Sequence, residues 1–367
     1  MIGYLIMGIS FVYGWNRIPI YHRKSTPSIK VSVLIAARNE EDTIQLCLGD
    51  LLLQDYPKDL LEIIVVDDHS TDLTAVKILE MGSSQIHLIK LNEPNVLNSY
   101  KKKAISTAIA QAKGDLIITT DADCRMGVSW VSNLTSRFVD DGLKMVSAPV
   151  AFLDNGTIFQ KFQSMEFANL IGLGAAAIGN GFPFTCNGAN LGYSKETFYE
   201  MNGFSGIDDL ASGDDELLLH KVALKYPDKI GFVKSKEALV YTHAKKDLSD
   251  FLKQRKRWAS KSVKYKNKRM IIISITAFFF NVFLIFNLVL SIFFPVFRIL
   301  FFAQLILKIG LELSLMIPIL FFMGQASYIF KVFILLPIYF LLYTSYMFFI
   351  GLAGNSGKYE WKGRMVR

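Results

Sequence analysis

The chain has 367 residues, of which 51% are hydrophobic and 20% are charged, and its formal net charge is +8. This composition excludes an intrinsically disordered chain, because disordered segments combine low hydrophobicity with high net charge. The apolar residues are concentrated between residues 270 and 353, where the charged residues are Arg298, Lys308, Glu312 and Lys331. The composition therefore predicts a soluble domain of roughly 240 residues, joined to a membrane-embedded C-terminal part.

The net charge is concentrated in one segment. Residues 245–269 contain eleven Lys or Arg and two Asp, a net of +9, so the rest of the chain carries −1. A basic stretch directly before an apolar segment favours an anionic membrane surface or a phosphate-rich ligand over nucleic acid. The positive-inside rule explains part of the same pattern.

The N-terminal segment predicts a membrane anchor. Residues 1–16 carry no charged side chain, and the apolar run extends to Ile20 if Arg17 reaches the interface. We expect residues 1–22 to be an anchor with a cytoplasmic basic flank, although a buried helix of the soluble domain would have the same composition. The cysteines show no disulfide or zinc spacing, which fits a reducing cytoplasmic setting; they are Cys47, Cys124 and Cys186.

Residues 28–244 alternate between short apolar runs and helical patterns. The predicted strands are 31–37, 62–68, 86–91 and 115–123, and the predicted helices are 41–53, 72–81 and 100–113. This alternation is typical of a doubly wound α/β domain. Ligands of such sheets bind at the carboxyl ends of the strands, which is where the acidic residues of this sequence stand.

Three apolar segments follow the basic stretch, at residues 270–297, 299–323 and 332–353. The second one spans a bilayer only if Lys308 and Glu312, four residues apart on one helical face, pair with each other. Three spans would put the basic tail, 354–367, on the outer side, against the positive-inside rule. We therefore expect two or three spans within 270–353, with the segment 299–323 re-entrant or interfacial.

Two carboxylates end the fourth predicted strand, in the sequence Asp121-Ala122-Asp123. Acids separated by one residue reach a common point where a chain begins to turn. Their hard oxygen atoms suit Mg²⁺ or Mn²⁺, which keep water ligands and bridge to diphosphate oxygens. By itself the pattern is equally compatible with a solvated turn or a helix cap.

Polar residues also close the first two predicted strands, as Ala37-Arg38-Asn39-Glu40 and as Asp67-Asp68. The second pair offers acceptors for a nucleobase N–H or a ribose hydroxyl, and the first group offers donors and acceptors beside it. Both groups have an alternative explanation, because Asp68 and the residues after it are good helix caps and acids favour the first turn of a helix.

Three acids stand together in the sequence Gly213-Asp214-Asp215-Glu216. Neighbouring carboxylates repel one another, so a fold keeps them with a cation nearby or with one acid held at a raised pKa, as suits a general base. The alternative is an acidic helix N-terminus that is stabilised by the helix dipole.

The basic stretch contains the sequence Gln254-Arg255-Lys256-Arg257-Trp258. The planar fork of Arg257 suits a diphosphate, and Trp258 offers a flat face to a sugar or base. An amphipathic helix on anionic lipid would show the same pattern, and both interpretations can hold together. A further group, Cys186-Asn187-Gly188-Ala189-Asn190, has small residues that let a backbone approach a ligand closely.

In this order, the motifs resemble a membrane-bound family 2 glycosyltransferase with the GT-A fold, the Rossmann-like mixed sheet of nucleotide-diphospho-sugar transferases. The resemblance covers roughly residues 28–262 and rests on ARNEE, VVDDHSTD, DADC, SGDDE and QRKRW. The motif QxxRW is common both in polymerising synthases and in ceramide-glucosyltransferase-like lipid glycosyltransferases, and the tail sequence WKGR is similar to the C-termini of the lipid-directed group. Gly213 stands where many processive synthases have Thr, a departure that counts against processive synthesis but not against transfer itself.

The resemblance implies a role for each site residue. The nucleotide sugar would contact Ala37, Arg38, Glu40, Asp68, Asp121, Gln254, Arg257 and Trp258, with Lys102 or Lys103 as a further contact, Lys103 being preferred. Asp123 would bind Mg²⁺ or Mn²⁺ directly, with Asp121 near the ribose or a metal-bound water. Asp215 would be the general base beside Asp214. The acceptor side would contain Asn187, Gly188 and Asn190.

These roles imply an inverting transfer from a nucleotide sugar, most simply a UDP-hexose, to a lipid or lipid-linked acceptor at the cytoplasmic membrane face. A processive polysaccharide synthase of the same family is the main alternative. A non-catalytic membrane scaffold is a remote one, because the acids that catalysis needs are present. We expect membrane lipids to be partners and nucleic acid not to be one, since the basic residues adjoin a membrane segment.

Overall fold

The structure is a computed structural model that describes residues 1–24, 28–91, 97, 99–153, 156–265, 267–353, 359–361 and 364–366. The strands are β1 Val31–Ala37, β2 Leu61–Asp67, β3 Ile86–Lys90, β4 Leu116–Asp121, β5 Arg125–Met126, β6 Met145–Ser147, β7 Val150–Phe152, β8 Leu191–Ser194, β9 Ile230–Phe232, β10 Val240–Thr242, β11 Tyr359–Trp361 and β12 Arg364–Val366. Part of the predicted basic tail, at residues 354–358, 362, 363 and 367, lies outside the described residues.

Helices cover both faces of the sheet and form the C-terminal region. They are α1 Ile2–Arg17, α2 Ile44–Leu52, α3 Thr74–Glu80, α4 Tyr100–Gln111, α5 Trp130–Asp140, α6 Ile158–Gly179, α7 Lys195–Glu200, α8 Glu216–Lys225, α9 Leu248–Ala259, α10 Lys268–Leu290, α11 Pro295–Phe322, α12 Ser327–Val332 and α13 Leu336–Ala353. Short 3₁₀ turns cover 188–190 and 260–264.

A mixed seven-stranded sheet, in the order β3-β2-β1-β4-β8-β6-β9, forms the centre of the domain. Strands β1, β2, β3 and β4 are all parallel to one another, whereas β8 runs antiparallel to both of its neighbours, β4 and β6. Val33 and Leu34 of β1 are both fully buried, and they belong to apolar clusters on opposite faces. This two-sided burial explains why the strands are continuous apolar runs. The predicted α/β class and GT-A fold are confirmed.

The register of the parallel strands positions the acidic residues. Ala37 at the end of β1 pairs with Asp67 on β2, and Ala36 pairs with Asp121 on β4. The residues just beyond these ends therefore share one edge of the sheet. A smaller sheet, in the order β5-β10-β7, lies beside this edge.

Helix α1 packs on the domain and on the C-terminal helices. Asn180 donates a hydrogen bond to the Ser10 carbonyl at 2.8 Å, and a Cβ atom on Gly14 would lie 2.2 Å from the Ala176 carbonyl oxygen. One face of α1 is thus buried, while Ile2, Ile6 and Ile9 on the other face are exposed. The buried face fits the alternative of a helix that packs on the domain, and the membrane anchor at residues 1–22 stays a prediction.

Within the described residues, three helices are long and apolar enough to cross a membrane: Lys268–Leu290, Pro295–Phe322 and Ser327–Ile350. The predicted pairing of Lys308 with Glu312 is confirmed, and the Tyr4 hydroxyl also donates to Glu312 at 2.6 Å.

The segment that contains α12 and α13 contacts the sheet domain near both of its ends. Before it, Gln325 donates to the Phe152 carbonyl of β7 at 2.7 Å. Near its end, the ring of Tyr346 lies 5.3 Å from that of Phe251 on α9.

Candidate active site

A cavity of about 550 Å³ opens at the carboxyl ends of β1, β2 and β4. The predicted site residues that line it are Ala37, Arg38, Glu40, Asp68, Asp121, Asp123, Asn187, Gly188, Asp214, Asp215, Gln254, Arg257 and Trp258. The lining continues to Met270 and Ser274 on α10 and to Met347 and Ile350 on α13. One cavity therefore joins the sheet edge to the apolar helices.

The first two strand ends are tied together around Asp68. Arg38 donates hydrogen bonds to the backbone carbonyls of Asp68 and His69, each at 2.9 Å. Asn39 and His69 both have positive φ angles, of 51° and 55°, and they make the sharp turns that leave the strands. Asp68 is buried, and these hydrogen bonds to the backbone fix the loop that places its carboxylate at the cavity wall.

Arg364 from the C-terminal tail reaches the same carboxylate. Its guanidinium donates to both Asp68 oxygens, at 2.9 and 3.0 Å, and lies over the Tyr100 ring at 3.7 Å from its centroid. The sequence analysis missed this residue, although the WKGR motif that contains it was noted.

Lys101 lines the cavity and lies between the acids of two motifs. Its ammonium contacts Asp121 at 2.8 Å and Asp214 at 3.4 Å. Burial alone would lower the pKa of Lys101, but the two carboxylates outweigh it and raise that pKa above its usual value. The cavity lysine from the KKK run is thus Lys101, whereas the predicted Lys103 is exposed.

Asp121 and Asp123 form a group of possible metal ligands with Cys124. The ligand atoms of the three residues lie within 4.8 Å of one another. Thr242 orients Asp123 by donating to it at 3.1 Å. Burial raises the pKa of the Cys124 thiol well above its usual value, so this thiol stays neutral and leaves the two carboxylates as the anionic oxygen donors.

Asp215 is held at the start of α8. Its carboxylate accepts hydrogen bonds from the Gly188 N–H at 2.9 Å and from the Glu216 N–H at 2.6 Å. Burial acts to raise its pKa, but the Lys261 ammonium at 3.8 Å and these N–H groups lower the pKa below its usual value. Of the two expectations for these acids, a raised pKa is wrong for Asp215, whereas a nearby cation is present as Lys261. The motif is also a helix N-terminus that faces the cavity.

Glu216 connects this motif to the basic segment after α9. Its carboxylate accepts hydrogen bonds from Thr185 at 2.6 Å and from Tyr265, and it pairs with Lys261 at 3.0 Å. Lys261 and Tyr265 both line the cavity where it approaches α10.

The predicted acceptor-side residues differ in position. Asn187 and Gly188 line the cavity, and a Cβ atom on Gly188 would lie 3.3 Å from that of Asp215. Asn190 is fully buried away from it: its amide nitrogen donates to the Pro149 and Ala238 carbonyls, and its oxygen accepts from Trp130 at 2.9 Å. Asn190 thus has a structural role in the core beneath the site.

Helix α9 presents Gln254, Arg257 and Trp258 to the cavity. Arg255, between them, is 2% exposed and pairs with the buried Glu166, a contact that the sequence analysis missed. Its guanidinium also lies 4.3 Å from the Trp258 ring centroid. The buried pair anchors the helix and orients the indole ring.

Comparison with known proteins gives one family for the sheet domain. Residues 32–200 match the model "Glycosyl transferase family 2". Glycosyltransferase AglE of Haloferax volcanii is 31% identical over 38% of this chain and 45% of its own length. The poly-beta-1,6-N-acetyl-D-glucosamine synthase of Staphylococcus aureus is 26% identical over 70% of this chain and 61% of its own. The chain thus matches less than two thirds of the length of either relative.

Among solved structures, the mannosyltransferase PcManGT from Pyrobaculum calidifontis, in complex with GDP-Man and Mn²⁺, superposes with a TM-score of 0.57. It is 17% identical in sequence, and the alignment covers 96% of this chain and 98% of that one. This similarity is evidence of a shared fold.

Proposed function

We propose, from the match of residues 32–200 to the family 2 glycosyltransferase model, that the chain transfers a sugar from a nucleotide sugar, and we propose its acceptor, stereochemistry and metal. The proposed reaction transfers a hexose from a UDP-sugar, with inversion, to a lipid or lipid-linked acceptor at the cytoplasmic membrane face.

The observation that carries the proposal is the continuity of the cavity. The same space is lined by Asp68 at one end and by Met270 and Ile350 at the other. Met270 lies in the first turn of α10, a helix with the length and hydropathy of a membrane span, so a hydroxyl-bearing lipid would reach the acids along an apolar surface. Asp215 lies between the two ends and is the group that such a hydroxyl meets.

In this proposal Asp68 and the β1 tip hold the nucleoside, and Arg257 faces the diphosphate. Asp215 accepts the proton of the acceptor hydroxyl, and the oxygen attacks the anomeric carbon opposite the leaving diphosphate. The bond to the diphosphate breaks as the new bond forms, so the configuration inverts. The lowered pKa of Asp215 keeps it ionised and ready to accept a proton at neutral pH.

The acids fit a divalent cation such as Mg²⁺ or Mn²⁺. The cavity lining holds eight Asp or Glu against six Lys or Arg, an excess of two negative charges, and Asp121 with Asp123 supplies hard oxygen donors. When bound, such an ion would supply positive charge that stabilises the leaving diphosphate. Asp123 is the proposed direct ligand, with Asp121 near the ribose or a metal-bound water, as the family resemblance implies.

For the membrane part, we propose that α10 and α11 cross and that the segment 327–353 returns to the side of the catalytic domain. Contacts of this segment with Phe152 and Phe251 support the arrangement, as does Arg364 on Asp68. The re-entrant segment would then be the third apolar one, rather than 299–323. This topology also leaves the basic tail on the cytoplasmic side, as the positive-inside rule requires.

The test is mass spectrometry of lipids from cells that express the chain or its Asp215→Asn variant. The proposal expects one discrete glycolipid with the parent chain and its absence with the variant, while the variant still binds UDP. A ladder of lengthening glycans would identify the processive alternative. Equal glycolipid in both strains would contradict the base assignment, and GDP binding tighter than UDP binding would contradict the donor.

A further inference from the structure

Lys102 is a buried lysine whose ammonium group donates all of its hydrogen bonds to backbone carbonyls of one loop. Its side chain is 2% exposed, and Nζ donates to the carbonyls of Ile207 and Leu210 at 2.6 Å and of Ser212 at 2.8 Å. An ammonium has three N–H donors, so the three carbonyls match its full capacity. Hydrogen bonds from a charged donor are stronger than those from a neutral one.

This loop leads directly into the acids of the active site. Ser212 precedes Gly213, whose φ of 84° makes the turn into Asp214 and Asp215. Lys101, the residue before Lys102 on α4, contacts Asp214 and Asp121. Two adjacent lysines on one helix thus contact the acids and hold the backbone that presents them.

On the basis of this geometry, we propose that Lys102 is a positioning residue, which holds the loop 207–212 so that Asp215 faces the acceptor. The inference rests on the proposed function, because it matters to transfer only if Asp215 acts on the acceptor. Lys102 touches neither donor nor acceptor in this role and acts through the loop.

The protonation state of Lys102 decides how well it holds the loop. Burial lowers its pKa to about 8, against the opposing effect of the carboxylates of Asp214, Asp215, Asp209 and Asp208. The cationic groups that face these acids include Lys101, Lys261, Lys264 and Lys221, the last of which faces Asp208. Below pH 8 the ammonium donates three hydrogen bonds, whereas above it the neutral amine has two N–H donors for three carbonyls.

The experiment measures UDP release by the full chain, reconstituted in vesicles of total bacterial lipid extract. The donor is UDP-glucose or UDP-N-acetylglucosamine, whichever the parent chain turns over faster. Lys102→Met should lower kcat about tenfold to a hundredfold, the cost of a misplaced catalytic group, while the Kd for UDP stays unchanged. Lys102→Arg, charged at all accessible pH values, should retain more activity and move the alkaline limb of the rate to higher pH.

Lys221→Met is the matched control, because Lys221 donates to the Gly203 and Ser205 carbonyls of the preceding loop. It should keep the parent kcat and pH profile. Wild-type turnover in Lys102→Met, equal losses in Lys102→Met and Lys221→Met, or an unmoved alkaline limb in Lys102→Arg would each overturn the inference. If instead Asp215→Asn retained full activity, the proposed function would fail independently of Lys102.

Discussion

One guanidinium nitrogen of Arg364 donates hydrogen bonds to both carboxylate oxygens of Asp68, across 296 positions of the sequence. Asp68 is the residue proposed to accept a hydrogen bond from the nucleobase. A carboxylate that already accepts two hydrogen bonds from an arginine is less available to a nucleobase. The tail thus competes with the donor for one side chain.

Replacing Arg364 by Ala should therefore tighten UDP binding. We expect Kd to fall about tenfold, or roughly 1.4 kcal/mol, which is close to the lower end of the range for a hydrogen bond to a charged group. Isothermal titration of UDP into the purified full chain measures the change. Arg298→Ala, at the far end of the apolar helices, is the control and should leave Kd unchanged; weaker UDP binding in Arg364→Ala would show that the tail assists the nucleotide.

Replacing Lys261 by Met should move the acid limb of kcat toward higher pH. The Lys261 ammonium is one of the groups that lower the pKa of Asp215, and the carboxylate is the reactive form. Without that ammonium the pKa of Asp215 rises, so activity is lost at a higher pH as the solution is acidified. The pH profile of UDP release measures this, with Lys256→Met as the control on the same basic stretch. Superimposable profiles would exclude Lys261 as the cause.

Replacing Arg255 by Met should destabilise the protein more than it alters the chemistry. The change leaves Glu166 buried without its partner, which costs about 3–5 kcal/mol. The double variant Arg255→Met with Glu166→Leu should recover most of the lost stability, because no buried charge then remains unpaired. Thermal unfolding in detergent measures both, and Lys253→Met, at an exposed pair with Asp250, should change little. A double variant no more stable than the single one would argue against the pair.

The sheet and the placement of its acids were predictable because both follow from local patterns. A continuous apolar run such as 31–37 indicates a strand that is buried on both faces of the sheet. The carboxyl ends of neighbouring parallel strands lie at the same edge of the sheet, independently of the loop conformations. The register of the KKK run was not predictable, since a helix turns by 100° per residue and neighbouring lysines point in different directions. Which of them meets Asp121 depends on how α4 packs on the sheet.

Contacts over long sequence separations were also beyond prediction. In the sequence, Glu166 and Arg255 have the pattern of exposed polar residues on amphipathic helices. Only the packing of α6 against α9 brings them together. The expectation for Asn190 came from its small neighbours, but its amide satisfies buried carbonyls in the core. The chemistry of a side chain limits what it can bind, whereas the fold determines which of those partners lies within reach.

The return of α13 to the domain predicts where added cysteines become accessible. In intact cells, Ile292→Cys, in the exposed turn between α10 and α11, should react with a membrane-impermeant thiol reagent. Lys30→Cys in the catalytic domain and Glu360→Cys in β11 should react only after the membrane is permeabilised, because the proposal puts both on the cytoplasmic side. Labelling of Glu360→Cys in intact cells would mean that the third apolar segment crosses the membrane. In that case the contact between Arg364 and Asp68 could not form within one molecule in the membrane.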